Sequence, residues 1–286
     1  MFYEVVPVGK VEELTYGCDE VLVPGQIVLV PLMRRMVPGV IVKKVVQPDF
    51  KTKAIERVLY SEPLPRHLMA TVRFIHEYYL AASGEAVSLI LPRGVQKKRR
   101  KTEQMFGNAD GLKSVLFRDE SKTEQSVISA QIRLNNAQKN ALEALYSAPQ
   151  ATKLLHGVTG SGKTNIYLKM AARALSEQKS VVLLVPEIAL TGQLVRVFRE
   201  VFGEKVVMMH SRQTEAERHL VFEKILRASE PLIVIGPRSA LFAPVAKLGL
   251  VIIDEAHEST YVQENTPKYS AIRVASYMAR AAGCSL

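Results

Sequence analysis

The sequence predicts an α/β fold, in which a lobe built on a parallel sheet is preceded by a small, mainly β, barrel-like domain. Two observations lead to this prediction. From residue 132 onward, short apolar runs alternate with segments that show helical apolar spacing, which is typical of a parallel sheet with right-handed crossovers. Before residue 60, short β-like runs follow one another between Pro-Gly and charged turns.

The first predicted domain covers residues 1–95. A helix from about His67 to Ala82 is expected to seal one side of its sheet, because apolar residues recur there at helical spacing. The predicted strands are Tyr3–Val8, Glu20–Pro24, Gln26–Pro31, Gly39–Val46 and Ile55–Tyr60.

Residues 96–131 are predicted to form an exposed basic linker. They contain the basic run Lys97–Lys101 and few apolar residues. The run is interpreted either as a solvated tether or as a grip on a polyanionic backbone, and the two interpretations are compatible.

Residues 132–286 are predicted to form the α/β lobe. Thr214 and Glu217 have the spacing of a capping box at the start of one of its helices. The predicted strands are 152–156, 181–185, 206–209, 232–235 and the run that begins at Leu250. The predicted helices are 165–178, 189–202 and 215–228. Tyr167 is one of the apolar positions of the first of these helices.

Composition limits the classes of function. The formal net charge of +10 over 286 residues favours a polyanionic partner. No apolar run is long enough to span a membrane, and no leader sequence is evident, so we expect a cytoplasmic protein without a membrane partner. Cys18 and Cys284 are far apart in sequence, which supports neither a disulfide framework nor a zinc site and indicates two small buried side chains.

A glycine-rich loop with the sequence G-V-T-G-S-G-K-T predicts an ATP site. Backbone N–H groups of such a loop and of the following helix converge on phosphate. Lys163 is expected to reach the β- and γ-phosphates, and the Thr164 hydroxyl to ligate Mg²⁺. The predicted nucleotide-binding residues are Gly157, Val158, Thr159, Gly160, Ser161, Gly162, Lys163 and Thr164.

A second box, Asp254-Glu-Ala-His257, follows an apolar run. A buried strand that ends in an acid is where a P-loop fold places the carboxylate that holds Mg²⁺, and Asp254 is predicted to take that role. Glu255 is predicted to orient and deprotonate the attacking water. His257 is either a structural hydrogen-bonding residue or the link between the nucleotide state and the nucleic-acid face, and the second reading is preferred.

Two further boxes make a family resemblance specific. Pro186–Thr191 reads P-E-I-A-L-T and Gly236–Phe242 reads G-P-R-S-A-L-F; together with the two boxes above they resemble motifs I, Ia, Ib and II of superfamily 2 helicases, and most closely those of the PriA family of bacterial replication-restart helicases. The resemblance implies a RecA-like lobe and contacts to single-stranded DNA from Thr191, Arg238 and Ser239. Family members usually have threonine where this chain has Pro237.

The resemblance extends to two other parts of the chain. Leu134–Gln138 is similar to the segment whose glutamine reads the adenine edge, which makes Gln138 an ATP-binding candidate. The N-terminal third resembles the family's 3′-end DNA-binding domain, although Thr15 and Met33 stand where family members often have an acid and a glycine. Two alternatives are open for Arg34 and Arg35: they contact phosphate from the turn of this domain, or they form a solvated hairpin tip. The short 96–131 interval implies a reduced or absent winged helix.

The loop after the acidic box resembles the family's aromatic-rich loop. Tyr261 and Tyr269 lie in it, and aromatic rings suit single-stranded DNA because any base can stack on them. The preferred expectation is therefore that both contact DNA, and the alternative is that both pack on the lobe. The tryptophan that is often present in this loop is missing.

The resemblance implies an ATP-dependent 3′-to-5′ DNA helicase of replication restart that recognises stalled forks and loads the primosome. Its cofactors would be ATP and Mg²⁺, with zinc expected only in a C-terminal part that this chain lacks; its partners would be forked and single-stranded DNA, primosome proteins and single-stranded-DNA-binding protein. Because no second lobe is present, we expect an N-terminal portion with half of the ATP site and little activity alone. The alternatives are another superfamily 2 fork remodeller, such as a RecG-like enzyme, and a non-catalytic DNA-binding scaffold.

Overall fold

The computed structural model describes residues 1–96, 132–148, 152–158, 160–186 and 192–286. Two sheets organise this part of the chain. One is mixed and N-terminal, and the other is parallel and forms the centre of the α/β lobe. Apart from Gln96, the predicted basic linker, including the run Lys97–Lys101, lies outside the described residues.

The N-terminal sheet has the strand order β5-β2-β1-β4-β3-β6. Neighbouring strands are antiparallel except for β2 and β5, and a bulge between Glu4 and Val5 interrupts the register of β1 against β4. The strands are β1 (Phe2–Pro7), β2 (Leu14–Gly17), β3 (Ile27–Leu32), β4 (Arg35–Val45), β5 (Lys53–Ala54) and β6 (Arg57–Tyr60).

The predicted strand Glu20–Pro24 does not form. The buried hydroxyl of Tyr3 replaces a strand ladder there, because it accepts the Leu22 N–H at 2.9 Å and donates to the Glu20 carbonyl at 3.2 Å. Gly25 then turns the chain at a φ of +91°, a conformation that favours glycine.

The sealing helix α1 (Arg66–Tyr79) forms as expected but ends earlier than predicted. Leu80 adopts the left-handed conformation and terminates it, and a short helix α2 (Ser83–Val87) follows. Leu68 and Ile75 lie on the buried face of α1. They belong to one hydrophobic core that contains residues of both the N-terminal sheet and the lobe. The helix therefore lies between the two parts of the molecule.

The lobe has a parallel sheet with the order β10-β7-β9-β8. Strands β7 and β9 are buried along their whole length, which explains their continuous apolar sequences. The elements are α3 (Asn136–Ser147), α4 (Lys163–Ser176), β7 (Ser180–Leu184), α5 (Gln193–Phe202), β8 (Val206–Met208), α6 (Glu215–Leu226), β9 (Ile233–Gly236), β10 (Leu248–Ile253), β11 (Val262–Gln263), β12 (Tyr269–Ser270) and α7 (Ala271–Ala282).

The lobe departs from the sequence prediction at several places, which include the unpredicted strands β11 and β12. The predicted strand 152–156 has no regular structure: the Lys153 N–H donates to the Leu286 carbonyl at 2.8 Å, and Ser285 makes the adjoining bridge to Leu250 of β10. Residues 285 and 286 thus lie between the loop segment and the sheet edge. Helices α3 and α7 were not predicted.

The N-terminal domain and the lobe pack directly on each other. Phe74 of α1 stacks on Tyr277 of α7, with ring centroids 4.1 Å apart. The Tyr79 hydroxyl accepts the Ser270 N–H at 3.1 Å, and the Tyr60 hydroxyl lies 2.9 Å from His219 Nε2. These contacts couple the position of one domain to that of the other.

Within the described residues, no helix combines the length and hydropathy that a membrane span needs, and no group of three or more metal-ligating side chains is present. Both cysteines are free; Cys284 is buried and Cys18 is half-buried.

Candidate functional site

The glycine-rich loop forms the expected turn into a helix. Gly160 and Gly162 both have a φ of +79°, and Gly162 is the residue immediately before α4. A Cβ on Gly162 would also collide with Nε2 of Gln138, whereas a Cβ on Gly160 would meet no atom within 4 Å. The loop therefore needs glycine at both positions for conformation, and a side chain at position 162 would also displace the Gln138 amide. Thr159 lies outside the described residues.

Lys163, the first residue of α4, joins the loop to the acidic box. Its Nζ donates to the Gly157 carbonyl at 2.8 Å and lies 3.8 Å from Oε1 of Glu255. A phosphate bound in the loop would offer the ammonium a stronger, charged partner than this carbonyl. The Lys163 ammonium thus lies where it can exchange its bond to the Gly157 carbonyl for a bond to a phosphate.

Asp254 directly follows β10, at the carboxyl edge of the sheet. Its backbone is fixed by two bonds: its N–H donates to the Leu184 carbonyl at 2.9 Å, and its carbonyl accepts the Tyr261 hydroxyl at 2.7 Å. Its side chain accepts the Tyr167 hydroxyl on Oδ1 at 3.1 Å. Burial raises the pKa of Asp254, and the bond from Tyr167 opposes that effect.

The oxygen donors of this site fit Mg²⁺. Asp254 offers a carboxylate, and Thr164, in the first turn of α4, offers a hydroxyl. Mg²⁺ prefers hard oxygen ligands and commonly takes one or two protein groups together with substrate phosphates. Two protein oxygens beside a phosphate loop match that pattern.

Glu255 has a φ of +48°, which is strained for a residue with a side chain. Its two carboxylate oxygens lie 3.8 Å from Lys163 Nζ and 3.6 Å from Nδ1 of His257. The His257 side chain is largely exposed. His257 therefore lies beside the carboxylate and open to solvent, and its linking role stays a prediction.

Gln138 reaches the phosphate loop from α3. It forms a capping box with Asn135, in which the Gln138 N–H donates to the Asn135 side chain at 2.8 Å. Its Nε2 donates to the Ser161 carbonyl at 2.9 Å. The observed contact is therefore to the loop backbone, and the adenine contact stays a prediction.

The expectation that Tyr261 and Tyr269 stack on DNA bases needs correction. Only 1% of Tyr261 and 3% of Tyr269 is exposed. Tyr269 packs edge-on against Phe242 at 5.5 Å, and the Tyr261 hydroxyl is bonded to Asp254. Because both rings lie in the core, neither has a free face for a base, and the packing alternative describes them.

Arg238 lies close to the same loop. One of its terminal nitrogens donates to the carbonyls of Thr260 at 2.9 Å and Val262 at 2.7 Å, on either side of Tyr261. Ser239, next to it, is exposed. Thr191, the third predicted DNA contact of the lobe, lies outside the described residues.

Arg34 and Arg35 are at the tip of the β3–β4 hairpin. Leu32 pairs with Arg35, so Met33 and Arg34 form a two-residue turn, and Met33 has a φ of +52°. Both arginines are exposed, and Lys53 Nζ donates to the Met33 carbonyl at 3.3 Å. The tip therefore presents three cations together.

The contact of Tyr167 with Asp254 was not predicted from the sequence, in which Tyr167 is only an apolar position of a helix. Its ring is indeed buried. The available signal was its spacing, three residues after Thr164 on the helix that starts at the phosphate loop.

Comparison with known proteins identifies the family of both domains. Residues 135–281 match the family model of the DEAD/DEAH box helicases, and residues 5–92 match the model of the PriA 3′ DNA-binding domain. Over 282 residues the chain is 34% identical to the replication restart protein PriA of Helicobacter pylori, covering 97% of this chain and 41% of that protein.

Two further relatives carry the same name. The PriA of Treponema pallidum is 36% identical over 235 residues, covering 81% of this chain and 33% of the relative. That of Bacillus subtilis is 42% identical over 173 residues, covering 59% of this chain and 21% of the relative. The chain thus spans less than half the length of each of these relatives.

Proposed function

The chain belongs to the DEAD/DEAH box helicase family, and from this membership and its similarity to PriA proteins we propose that it binds ATP with Mg²⁺ and DNA as part of a replication-restart helicase. The single observation that supports this most is the meeting of the phosphate loop and the acidic box. Lys163 lies between Gly157 and Glu255, so one cation contacts both.

In the proposed mechanism, the loop around Gly160 and Gly162 directs backbone N–H groups at the phosphates of ATP. Lys163 leaves the Gly157 carbonyl and neutralises charge on the β- and γ-phosphates. Mg²⁺, when bound, neutralises further phosphate charge, and Thr164 and Asp254 are the residues that would hold it. Glu255 orients the attacking water and takes its proton.

On the DNA side, we assign phosphate contacts to Arg238 and Ser239 in the lobe and to Arg34 and Arg35 in the N-terminal domain. Single-stranded DNA competes with the carbonyls of Thr260 and Val262 for the guanidinium of Arg238. Because those carbonyls flank Tyr261, whose hydroxyl donates to the main-chain carbonyl of Asp254, this exchange links DNA binding to the backbone of the residue that would hold the metal. Thr191 and His257 remain proposed participants.

For the whole protein we propose ATP-driven 3′-to-5′ unwinding, recognition of stalled forks through the N-terminal domain, and primosome loading with single-stranded-DNA-binding protein. ATP hydrolysis by superfamily 2 helicases takes place between two lobes, and arginines of the second lobe contribute on the order of a thousandfold or more in rate where such residues are measured. We therefore propose that this chain alone binds nucleotide and DNA with little hydrolysis, and that zinc belongs to another part of the whole protein.

The first experiment measures binding of a fluorescent ADP analogue to the 286-residue chain with Mg²⁺. Lys163→Ala should weaken binding at least about tenfold, because it removes the cation that faces the phosphates. Lys169→Ala, which removes a lysine further along the same helix, is the matched control and should bind normally. Equal affinity of the Lys163→Ala variant would count against the proposed site.

A second experiment tests the motor itself. The product of the complete reading frame is assayed for ATP hydrolysis with and without forked DNA, and Glu255→Gln is expected to abolish DNA-stimulated turnover while nucleotide still binds. An absence of DNA-stimulated hydrolysis in the wild-type protein would favour the scaffold function instead.

A further inference from the structure

We propose that Tyr167 is a positioning residue for the metal, which holds the carboxylate of Asp254 in the orientation that accepts Mg²⁺ with nucleotide. The inference rests on the proposed nucleotide site and adds to it a residue outside both sequence boxes. It starts from one contact: the Tyr167 hydroxyl donates to Oδ1 of Asp254 at 3.1 Å.

The position of Tyr167 in α4 links the two halves of the site. Lys163 and Thr164 begin this helix, and Tyr167 follows Thr164 by three residues, a spacing that places two side chains on one helix face. The helix that presents the hydroxyl ligand of the metal therefore also sets the carboxylate ligand. A shift of α4 on nucleotide binding would move both together.

The backbone of Asp254 is fixed independently of Tyr167. Its N–H bonds to Leu184 and its carbonyl to Tyr261, so the main chain stays in place if the Tyr167 hydroxyl is removed. What the phenol adds is restraint of the side chain, since it engages one carboxylate oxygen and leaves the other outside this bond. Residues that orient a ligand in this way typically change metal affinity by about ten- to a hundredfold.

The phenol suits this task because it is a neutral donor held in a fixed place. Only 7% of Tyr167 is exposed, and its ring packs in the core on the α4 side of the sheet. A phenol, whose ordinary pKa is about 10, keeps its proton at neutral pH, so the hydroxyl can donate to the carboxylate. The ring anchors the residue and the hydroxyl directs the carboxylate.

A residue of purely structural importance would behave differently. Loss of the hydroxyl would then lower stability or weaken nucleotide binding to the same degree with and without metal. A positioning residue instead changes the Mg²⁺ dependence of nucleotide binding and leaves metal-free binding alone.

The test titrates Mg²⁺ against the binding of a fluorescent ADP analogue to the 286-residue chain, and repeats the measurement in EDTA. Tyr167→Phe keeps the buried ring and is expected to raise the half-saturating Mg²⁺ concentration about tenfold, with EDTA affinity unchanged. Tyr16→Phe is the matched control, because that hydroxyl also bonds to a partly buried acceptor, the Pro31 carbonyl at 3.1 Å, but in the N-terminal domain. It should leave the Mg²⁺ titration unchanged.

A second variant isolates the contact. In an Asp254→Asn background the Tyr167→Phe change should produce no further shift in the Mg²⁺ titration, because the carboxylate that the phenol orients is gone. An undiminished shift in that background would overturn the inference. So would a Tyr167→Phe curve within twofold of the wild type, or an equal loss of affinity in EDTA.

Different results would overturn the proposed function and the role of Tyr167. A wild-type chain that binds no nucleotide, with or without Mg²⁺, overturns the proposed function and this inference with it. Normal wild-type binding combined with an unshifted Tyr167→Phe titration overturns the inference alone.

Discussion

Replacing Tyr261 by phenylalanine separates two roles for the loop after the acidic box. The change keeps an aromatic ring, which is all that stacking on a base requires, and removes the hydroxyl that donates to the Asp254 carbonyl at 2.7 Å. The structure assigns the residue to the second role, because only 1% of it is exposed. Tyr261→Phe should therefore lower stability and leave DNA affinity unchanged.

The size of the effect follows from the environment of the bond. A neutral hydrogen bond contributes about 0.5–1.5 kcal/mol, and a buried carbonyl left without a partner costs about 1–3 kcal/mol. At roughly 2–4 °C per kcal/mol for a domain of about 150–250 residues, a loss of about 1–3 kcal/mol lowers the melting temperature by roughly 2–12 °C.

The assay combines thermal melting followed by circular dichroism with binding of a labelled single-stranded oligonucleotide, measured well below the melting transition. Tyr78→Phe, at a half-exposed tyrosine of α1, is the control and should melt with the wild type. An unchanged melting temperature for Tyr261→Phe would refute the hydrogen-bond argument. A several-fold loss of oligonucleotide affinity for Tyr261→Leu, with unchanged melting of both variants, would restore the stacking role.

Three other predictions concern separate parts of the chain. Gly162→Ala should weaken nucleotide binding more than Gly160→Ala, since both changes add a Cβ at a φ of +79° but only the Cβ at position 162 displaces the Gln138 amide from the loop. Burial lowers the pKa of His67 from 6.5 to about 4, so the folded state prefers the neutral histidine. The free energy of unfolding should be at its full value above pH 6.5 and should fall by up to about 3 kcal/mol as the pH drops toward 4. Urea unfolding of His67→Leu should show a flatter pH dependence. Substituting Arg34 and Arg35 together by alanine should lower the salt slope of DNA binding by about two, and an unchanged slope would remove the hairpin tip from the interface.

Much of the fold was predictable because its signals are local. The buried strand β7 is a continuous apolar run, and the capping box at Thr214 marks the start of α6; both formed where the sequence placed them. The same holds for the turn into α4, since glycine at positions 160 and 162 follows from backbone geometry. Local propensity and tertiary packing agree at these places.

The failures occurred where distant residues decide the outcome. Residues 20–24 have β-like composition, but the hydroxyl of Tyr3 satisfies the backbone there and no strand forms. The segment 152–156 has the sequence pattern of a strand. In the structure, however, the Lys153 N–H donates to the carbonyl of Leu286 and the segment does not pair with a strand of the sheet. Neither partner is visible from the local sequence.

The sequence by itself predicted which residues would handle phosphate and metal, because a glycine-rich turn before a helix directs backbone N–H groups at an anion and an acid after a buried strand lies at the edge of the sheet. Only the tertiary structure decided how those residues are held. It placed Lys163 between Gly157 and Glu255, buried the rings of Tyr261 and Tyr269, and brought the Tyr167 hydroxyl to Asp254. The sequence pattern of an aromatic residue is the same whether its ring stacks on a base or packs in the core. Only the tertiary packing distinguishes these two roles.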